Sequence, residues 1–174
     1  MASTPPDNKL LVQAFSVIAE AGDTEQAIAR LRDLLHVDHI VYYLPKSNAA
    51  PYVRLTYPAV WIKRYLEMNY GGVDPISREG TQRTHPFSWS ELNINGPRET
   101  AFMADAISHG IGPHGLSIPL TDYGHRALFS ISSSQSDREW DEFLSTTQST
   151  VVKIAYRLHQ RIVGEIFGID TPRS

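Results

Sequence analysis

The sequence predicts an α/β fold of the α+β kind, an αβα sandwich with a central antiparallel sheet of about five strands and helices on both faces. Two observations support it. β-Branched and aromatic residues concentrate in short runs that group as two hairpins, over 37–56 and 115–132. Stretches with helical spacing of apolar residues precede, separate and follow these hairpins. Such grouping of strands and helices is typical of a layered α+β domain.

Two helices are expected before the first hairpin. Apolar residues at helical spacing define them over 10–18 and 27–35, and Asp23 followed by Gln26 resembles a capping box that opens the second. The first hairpin then has strands over 37–44 and 52–56, joined by a turn rich in Pro, Ser and Asn.

Three further helices are expected between the hairpins. The first runs from Pro58, which suits a first helical turn, to Gly71-Gly72. A short helix over 75–82 follows, and another begins at Gly96-Pro97 with Phe102, Met103, Ala106 and Ile107 on one side. After the second hairpin, Asp137 is expected to cap a long helix that ends at Gly168.

Composition restricts the possible classes of protein. The chain has 174 residues, 41% of them hydrophobic and 20% charged, which is typical of one globular domain. A net charge of −3 gives no electrostatic case for nucleic-acid binding by this chain. There are no cysteines, so disulfides and thiolate metal sites are excluded. No signal peptide or membrane span is recognisable, and a cytoplasmic location with no membrane partner is expected.

The stretch from Tyr57 to Asp74 holds the strongest candidates for a binding site. Tyr57, Trp61 and Tyr65 recur every four residues, with Ile62, Leu66 and Tyr70 in a neighbouring row. Aromatic stripes at this spacing are usually core, but phenol and indole donors exceed what an apolar core needs. Asp74 is held extended by Pro75. Its carboxylate can serve as the N-cap of the following helix, as an acceptor for a ligand, or as both. One carboxylate beside several donors suits a small amide or ester ligand.

Two serines add to this site from the last predicted strand. Ser130 and Ser132 share one strand face, and buried hydroxyls need hydrogen-bond partners, although solvent at an edge strand would also satisfy them. Trp89, in Pro86-Phe-Ser-Trp89, is interpreted first as a packing residue.

The sequence does not propose a catalytic centre. It contains no nucleophile elbow, Walker loop, dinucleotide fingerprint or His-Glu-x-x-His motif. His36 and His39 would lie on opposite faces of a strand, which argues against a shared metal. We therefore expect no enzyme, no metal site and no cofactor.

Several of these pieces together resemble the autoinducer-binding domain of LuxR-type quorum-sensing regulators. They are Tyr57-Pro-x-x-Trp61-x-x-x-Tyr65, Asp74-Pro75, Pro86-Phe-x-Trp89 and Gly115-Leu-Ser-Ile-Pro-Leu. Their order and spacing, over roughly residues 10–167, carry the resemblance more than any single piece does. The family folds as an αβα sandwich and binds an N-acyl-homoserine lactone between the sheet and the motif helix.

The resemblance implies a role for each matching residue. The lactone carbonyl would be met by Trp61, the ligand amide N–H by Asp74, and the acyl carbonyl by Tyr57 with help from Ser130. The residues that would wall the lactone end are Tyr65, Trp89, Phe102, Ala106 and Ile111. The candidates around the acyl end are Tyr42 or Tyr43, Tyr70, Ile76, Leu128 and Phe102. Because most of these are bulky, a short, branched or aromatic acyl group is expected.

The resemblance also implies how the chain is organised. Residues 1–170 would form the autoinducer-binding domain and residues 171–174 the start of a linker. Family members continue into a helix-turn-helix domain, so DNA binding would belong to a C-terminal domain absent from this chain. A homodimer that controls transcription in response to a small-molecule autoinducer is expected. Two other functions stay open: a lactone-degrading enzyme with Asp74 as its base, and a dimerisation module that binds no ligand.

Overall fold

The computed structural model describes residues 6–168. Two sequence predictions lie outside these residues: the absence of a signal peptide at the start of the chain, and the linker over 171–174. No helix within residues 6–168 combines the length and apolar character needed to cross a membrane.

The helices are α1 (Pro6–Glu20), α2 (Thr24–Leu35), α3 (Ala59–Glu67), α4 (Pro75–Gly80), α5 (Gly96–Ser108) and α6 (Asp137–Phe167). The strands are β1 (His39–Leu44), β2 (Tyr52–Leu55), β3 (Phe87–Ser88), β4 (His114–Leu120) and β5 (Ala127–Ser133). Short 3₁₀ turns cover Tyr70–Gly72, Trp89–Glu91 and Asp122–Gly124.

The five strands form one sheet in the order β2-β1-β5-β4-β3, and neighbouring strands are antiparallel. The two predicted hairpins are its two halves, joined where β1 pairs with β5. The predicted fold class, an αβα sandwich around an antiparallel sheet of about five strands, is confirmed. The two-residue strand β3 was not predicted, because a run so short has no periodicity to detect.

One face of the sheet packs against α1, α2 and α6 and forms the main hydrophobic core. Side chains at alternate strand positions point to opposite faces, so Tyr42, Phe129 and Ile131 are buried in this core. The Tyr42 hydroxyl lies 2.7 Å from Nδ1 of His159, whose Nε2 donates to the Asp122 carbonyl at 3.0 Å. Burial lowers the pKa of His159, which favours the neutral ring.

The opposite face, called the site face below, carries the other half of each strand. Strand pairing arranges these residues in three rows across β1, β5 and β4. The rows are His39–Ser132–Gly115, Val41–Ser130–Ser117 and Tyr43–Leu128–Pro119. Tyr43, and not Tyr42, therefore lies on the site face.

The motif helix is shorter than predicted. Pro58 is the N-cap of α3 and not part of its first turn, so Tyr57 precedes the helix. At the other end, Asn69 adopts a left-handed conformation (φ 55°), and the chain leaves the helix before Gly71. Leu66, expected in the row with Tyr70, is 72% exposed.

Two smaller predictions are also wrong. The N-cap of α6 is Ser136, whose hydroxyl accepts from the Glu139 amide at 3.2 Å, while Asp137 is the first helical residue. Ile107 is 45% exposed, although helical spacing predicted it on the buried side of α5 with Phe102 and Ala106. Helical spacing predicts the centre of the buried face but not its width, because contacts with the rest of the fold decide how wide the buried stripe is.

Candidate functional site

A second hydrophobic cluster, separate from the main core, brings the predicted site residues together. It contains every aromatic and aliphatic residue proposed for the site from the sequence except Leu128 and the two alternatives Tyr42 and Tyr43. Its buried members are Trp61, Tyr70, Trp89, Phe102, Ala106 and Ile111, and the partly buried ones include Tyr57, Tyr65 and Ile76. The cluster joins residues from α3, α4, α5 and the two 3₁₀ turns at 70–72 and 89–91.

Trp61 lies at the centre of this cluster. Its ring centroid is 5.8 Å from that of Tyr70, 5.9 Å from Phe102, 6.2 Å from Tyr65 and 5.2 Å from His109. Edge-on and tilted ring packing at these distances stabilises the cluster beyond simple burial. The aromatic stripe read from the sequence therefore does act as core, but as the core of the candidate site.

Asp74 connects this cluster to α4. It is the N-cap of α4, and its Oδ1 accepts from the backbone amides of Ile76 at 2.9 Å and Ser77 at 3.3 Å. Its Oδ2 accepts from the hydroxyls of Tyr65 at 2.9 Å and Ser77 at 3.2 Å. Burial raises the pKa of Asp74, and these four hydrogen bonds oppose that shift because they favour the carboxylate. The carboxylate is thus both a structural cap and a partly buried acceptor.

Two donors of the site are left over after this pairing. Within residues 6–168, three side chains of the cluster donate hydrogen bonds: Tyr65 to Asp74, Tyr70 to Asp105 and Trp89 to Ser117. The Tyr57 hydroxyl and the Trp61 indole N–H form no hydrogen bond there. Burial raises the pKa of Tyr57, and the nearby Asp74 carboxylate raises it further, so the phenol keeps its proton at neutral pH. Both groups can donate to carbonyl oxygens.

The serines of the sheet form a hydrogen-bonded row beneath Trp89. The Trp89 indole donates to Ser117 Oγ at 3.0 Å, and Ser117 Oγ lies 2.7 Å from Ser130 Oγ. Ser117 and Ser130 are paired across β4 and β5, and both are buried. Ser117, which was not among the residues predicted for the site, thus holds Ser130 in place. The predicted hairpin put the two serines on neighbouring strands, but it did not specify the register that sets them opposite each other.

Gly115 provides the space for Trp89. A Cβ atom at Gly115 would overlap the fused rings of the Trp89 indole. Only glycine lets the indole lie flat on β4 and reach Ser117. The position of Trp89 in the site therefore depends on the absence of a side chain on the strand below it.

Charged pairs hold the helices of the site around the cluster. Asp105 on α5 accepts from Arg64 on α3 and from the Tyr70 hydroxyl. These bonds connect both segments that flank Trp61 to α5. Asp105 was not predicted from the sequence, because its partners lie 35 and 41 residues away along the chain.

A second group of contacts fixes α4. Buried Glu79 accepts from the Arg83 guanidinium and from the Asn93 amide at 2.7 Å. Arg126, beside β5, donates to the backbone carbonyls of Gly80 and Arg83 at the end of α4. Asp74 is therefore anchored at a helix whose other end is fixed to the sheet.

Leu128 lies apart from the aromatic cluster, at the end of the site face near α4. It packs against Gly80, where a Cβ would come within 3.1 Å of Leu128 Cδ1 and closer still to Cδ2. A cleft here is lined by Tyr43, Ser77, Gly80 and Leu128, among others. Ser77 belongs to this cleft and to the Asp74 hydrogen bonds, so the cleft adjoins the polar centre of the site.

No group of three or more His, Cys, Asp or Glu side chains that could hold a metal ion occurs in the described part of the chain.

The sequence is similar to those of known proteins. A family model described as the autoinducer binding domain matches residues 21–162. The transcriptional activator protein RaiR of Rhizobium etli is 30% identical over 132 residues, which cover 72% of this chain and 54% of RaiR. The quorum sensing-dependent transcriptional regulator RpaR of Rhodopseudomonas palustris is 31% identical over 105 residues, 57% of this chain and 43% of RpaR. The chain spans about half the length of the curated relatives it matches.

A solved structure supports the fold. The N-acylhomoserine lactone dependent LuxR family transcription factor CepR2 from Burkholderia cenocepacia superposes with a TM-score of 0.76. The match covers 92% of this chain and 98% of that one, with 20% sequence identity. At this identity the similarity shows the fold alone.

The close contact between Gly115 and Trp89 generates a prediction. Gly115→Ala forces the indole away from Ser117, and we expect it to lower the free energy of unfolding by about 1–3 kcal/mol. Combining it with Trp89→Leu should cost less than the sum of the two single changes, because a smaller side chain relieves the overlap. Chemical denaturation of the single and double variants measures this coupling.

Gly72→Ala is the matched control, since a Cβ at Gly72 would meet no atom within 4 Å. It should change stability far less than Gly115→Ala. Additive effects of Gly115→Ala and Trp89→Leu would contradict the packing described here.

Proposed function

Because this chain belongs to the autoinducer-binding domain family of LuxR-type quorum-sensing regulators, we propose that its aromatic cluster binds an N-acyl-homoserine lactone. The observation that carries this proposal is the partly buried Asp74 carboxylate, held by Tyr65 next to two uncommitted donors of the same cluster, the Tyr57 phenol and the Trp61 indole. An acyl-homoserine lactone presents one amide N–H and two carbonyl groups in an otherwise apolar molecule. The site offers the complementary set.

Each polar residue has a proposed contact. Asp74 accepts from the ligand amide N–H, Trp61 donates to the lactone carbonyl, and Tyr57 donates to the acyl carbonyl with help from Ser130. The lactone ring would lie among Tyr65, Trp89, Phe102, Ala106 and Ile111. The acyl chain would run past Tyr70 and Ile76 toward Leu128.

Binding requires a small rearrangement at Asp74. Its four hydrogen bonds from Tyr65, Ile76 and Ser77 use the acceptor capacity of a carboxylate. The backbone amides must stay, because they cap α4. The Tyr65 or Ser77 hydroxyl can instead turn toward another acceptor, which frees a lone pair on Oδ2 for the ligand N–H.

In the longer protein we propose that ligand binding controls a separate DNA-binding domain outside this chain. The matching relatives RaiR and RpaR are transcriptional regulators of about twice the matched length. A homodimer in the cytoplasm is the proposed working form, with no enzymatic step, cofactor or membrane partner. The relatives are regulators and not enzymes, which favours a sensor over a lactone-degrading enzyme.

Asp74→Asn separates the two roles of Asp74, as the N-cap of α4 and as an acceptor for the ligand. Asparagine is as good an N-cap as aspartate, so we expect the melting temperature to change little. Affinity for an acyl-homoserine lactone should fall by on the order of 2–4 kcal/mol, because a charge-assisted acceptor is replaced by an amide. Calorimetric titration of both proteins measures this loss.

An ester analogue of the ligand provides the control for Asp74. Replacing the amide N–H by oxygen keeps the shape of the ligand and removes its donor. The wild type should prefer the amide strongly, and Asp74→Asn should discriminate little between the two. Affinity for the amide should also weaken as the pH falls toward the raised pKa of Asp74, and only in the wild type. Unchanged lactone affinity in Asp74→Asn would reduce Asp74 to a helix cap.

The acyl group generates a separate prediction. Tyr43 and Leu128 lie on the site face near α4, with Tyr70 and Phe102 in the aromatic cluster, and these bulky side chains leave little room for a flexible chain. We expect short, branched or aromatic acyl groups to bind better than long straight ones. Each added methylene should change affinity by about 0.8 kcal/mol at most until the chain clashes. A binding series of straight, branched and aryl lactones checks this, and a steady rise to the longest straight chain would show the prediction to be wrong.

A further inference from the structure

Ser132 is a buried hydroxyl without a partner. Its side chain is 1% exposed, and its Oγ forms no hydrogen bond within the part of the chain that the structure describes. Buried hydroxyls are normally paired, because leaving one unpaired costs free energy. Ser130 and Ser117, on the same face of the sheet, are both paired.

The strand register fixes where this hydroxyl points. Ser132 lies between His39 on β1 and Gly115 on β4, on the same face as Ser130 and about 7 Å from it along β5. The Trp89 indole covers Gly115 on one side. On the other side, the Tyr57 ring packs edge-on against His39 with centroids 5.3 Å apart. Ser132 therefore lies on the floor of the site, between two of its aromatic walls.

The side chains nearest to Ser132 do not pair with it. His39 Nδ1 lies 3.3 Å from Thr56 Oγ1, Trp89 donates to Ser117, and neither residue forms a hydrogen bond with Ser132 Oγ. The Ser132 carbonyl accepts from the Asp38 amide at 3.0 Å, which leaves the side chain as the unsatisfied group. The hydroxyl can therefore pair with a molecule that occupies the site.

The position along β5 indicates which part of a ligand Ser132 would meet. Leu128 marks the end of the strand near the cleft beside α4, and Ser130 lies in the middle. Ser132 is at the other end, beside the Trp89 indole, which packs in one cluster with Ile111 and Phe102. Under the function proposed above, this is the end that holds the ring of the ligand.

We propose that the Ser132 hydroxyl donates a hydrogen bond to an oxygen of the ligand's ring, so that the sheet itself selects a lactone head group. This inference rests on the proposed function. Trp61 approaches from the helices above and uses one lone pair of the lactone carbonyl. The second lone pair and the ring oxygen remain as acceptors facing the sheet. Ser132 makes the pocket polar beneath a ring that is otherwise enclosed by aromatic side chains.

The test compares two probes in two proteins. N-butanoyl-homoserine lactone carries the lactone carbonyl and the ring oxygen, and N-cyclopentylbutanamide has the same ring size without either oxygen. Ser132→Ala should bind the lactone about 5-fold to 10-fold more weakly than the wild type does, because one neutral hydrogen bond is lost. Its affinity for the cyclopentyl amide should be unchanged. If a longer acyl chain binds better, the same pair is made with that chain.

Stability provides an independent readout. Ser132→Ala removes an unpaired buried hydroxyl, so the melting temperature of the unliganded protein should stay the same or rise. Ser133→Ala is the matched control on the same strand and the opposite face. The Ser133 hydroxyl accepts from the Gln135 amide at 3.2 Å, so this change should lower the melting temperature without altering the preference between probes.

The outcomes are distinct. Equal weakening of both probes by Ser132→Ala would mean that the hydroxyl supports the pocket and does not contact the ring, and the inference would be wrong. No weakening of either probe would overturn it as well. A wild type that binds no lactone from a full acyl series would overturn the proposed function, and this inference with it.

Discussion

The site depends on a single carboxylate that serves the fold and the pocket together. Asp74 caps α4 through the amides of Ile76 and Ser77, and it holds the Tyr65 ring through its second oxygen. α4 in turn is anchored by Arg126 and by the Glu79 pairs, which fixes the helix that carries the carboxylate. A buried charge is tolerated only where several donors surround it, and here those donors are contributed by a helix start and an aromatic wall. This arrangement places a strong acceptor inside an apolar cluster.

The sheet separates two kinds of core by strand alternation alone. On one face, Tyr42, Phe129 and Ile131 pack into a conventional hydrophobic core with α1, α2 and α6. On the other, the same strands present Gly115, Ser117, Ser130 and Ser132, which are small and mostly hydroxylated. Small side chains leave volume, and hydroxyls give it polarity, so this face suits a ligand better than it suits another layer of protein. The main hydrophobic core lies on the first face, and we propose that the second face serves ligand recognition.

The layered fold and many members of the aromatic cluster could be predicted from the sequence because those features follow local rules. Alternation in β5 predicted the hydroxylated face, and Asp74-Pro75 predicted an extended residue before a helix. One error was local: Asn69 adopts a left-handed conformation, and α3 ends earlier than Gly71 would end it. The others came from non-local contacts, since the rest of the fold leaves Leu66 72% exposed. The partnership of Ser117 with Trp89, and that of Asp105 with Arg64 and Tyr70, became visible only once distant segments were brought together.

The central claim is that this site holds an acyl-homoserine lactone and leaves it chemically intact. Incubation with an isotope-labelled lactone, removal of unbound ligand, extraction of the protein and mass spectrometry of the extract test it most directly. We expect the intact lactone to be recovered from the wild type in a stoichiometric amount. Recovery of the hydrolysed product would identify a degrading enzyme instead. If no ligand is recovered with any member of a lactone series, the site does not bind such lactones, and a dimerisation module without a ligand is the remaining function.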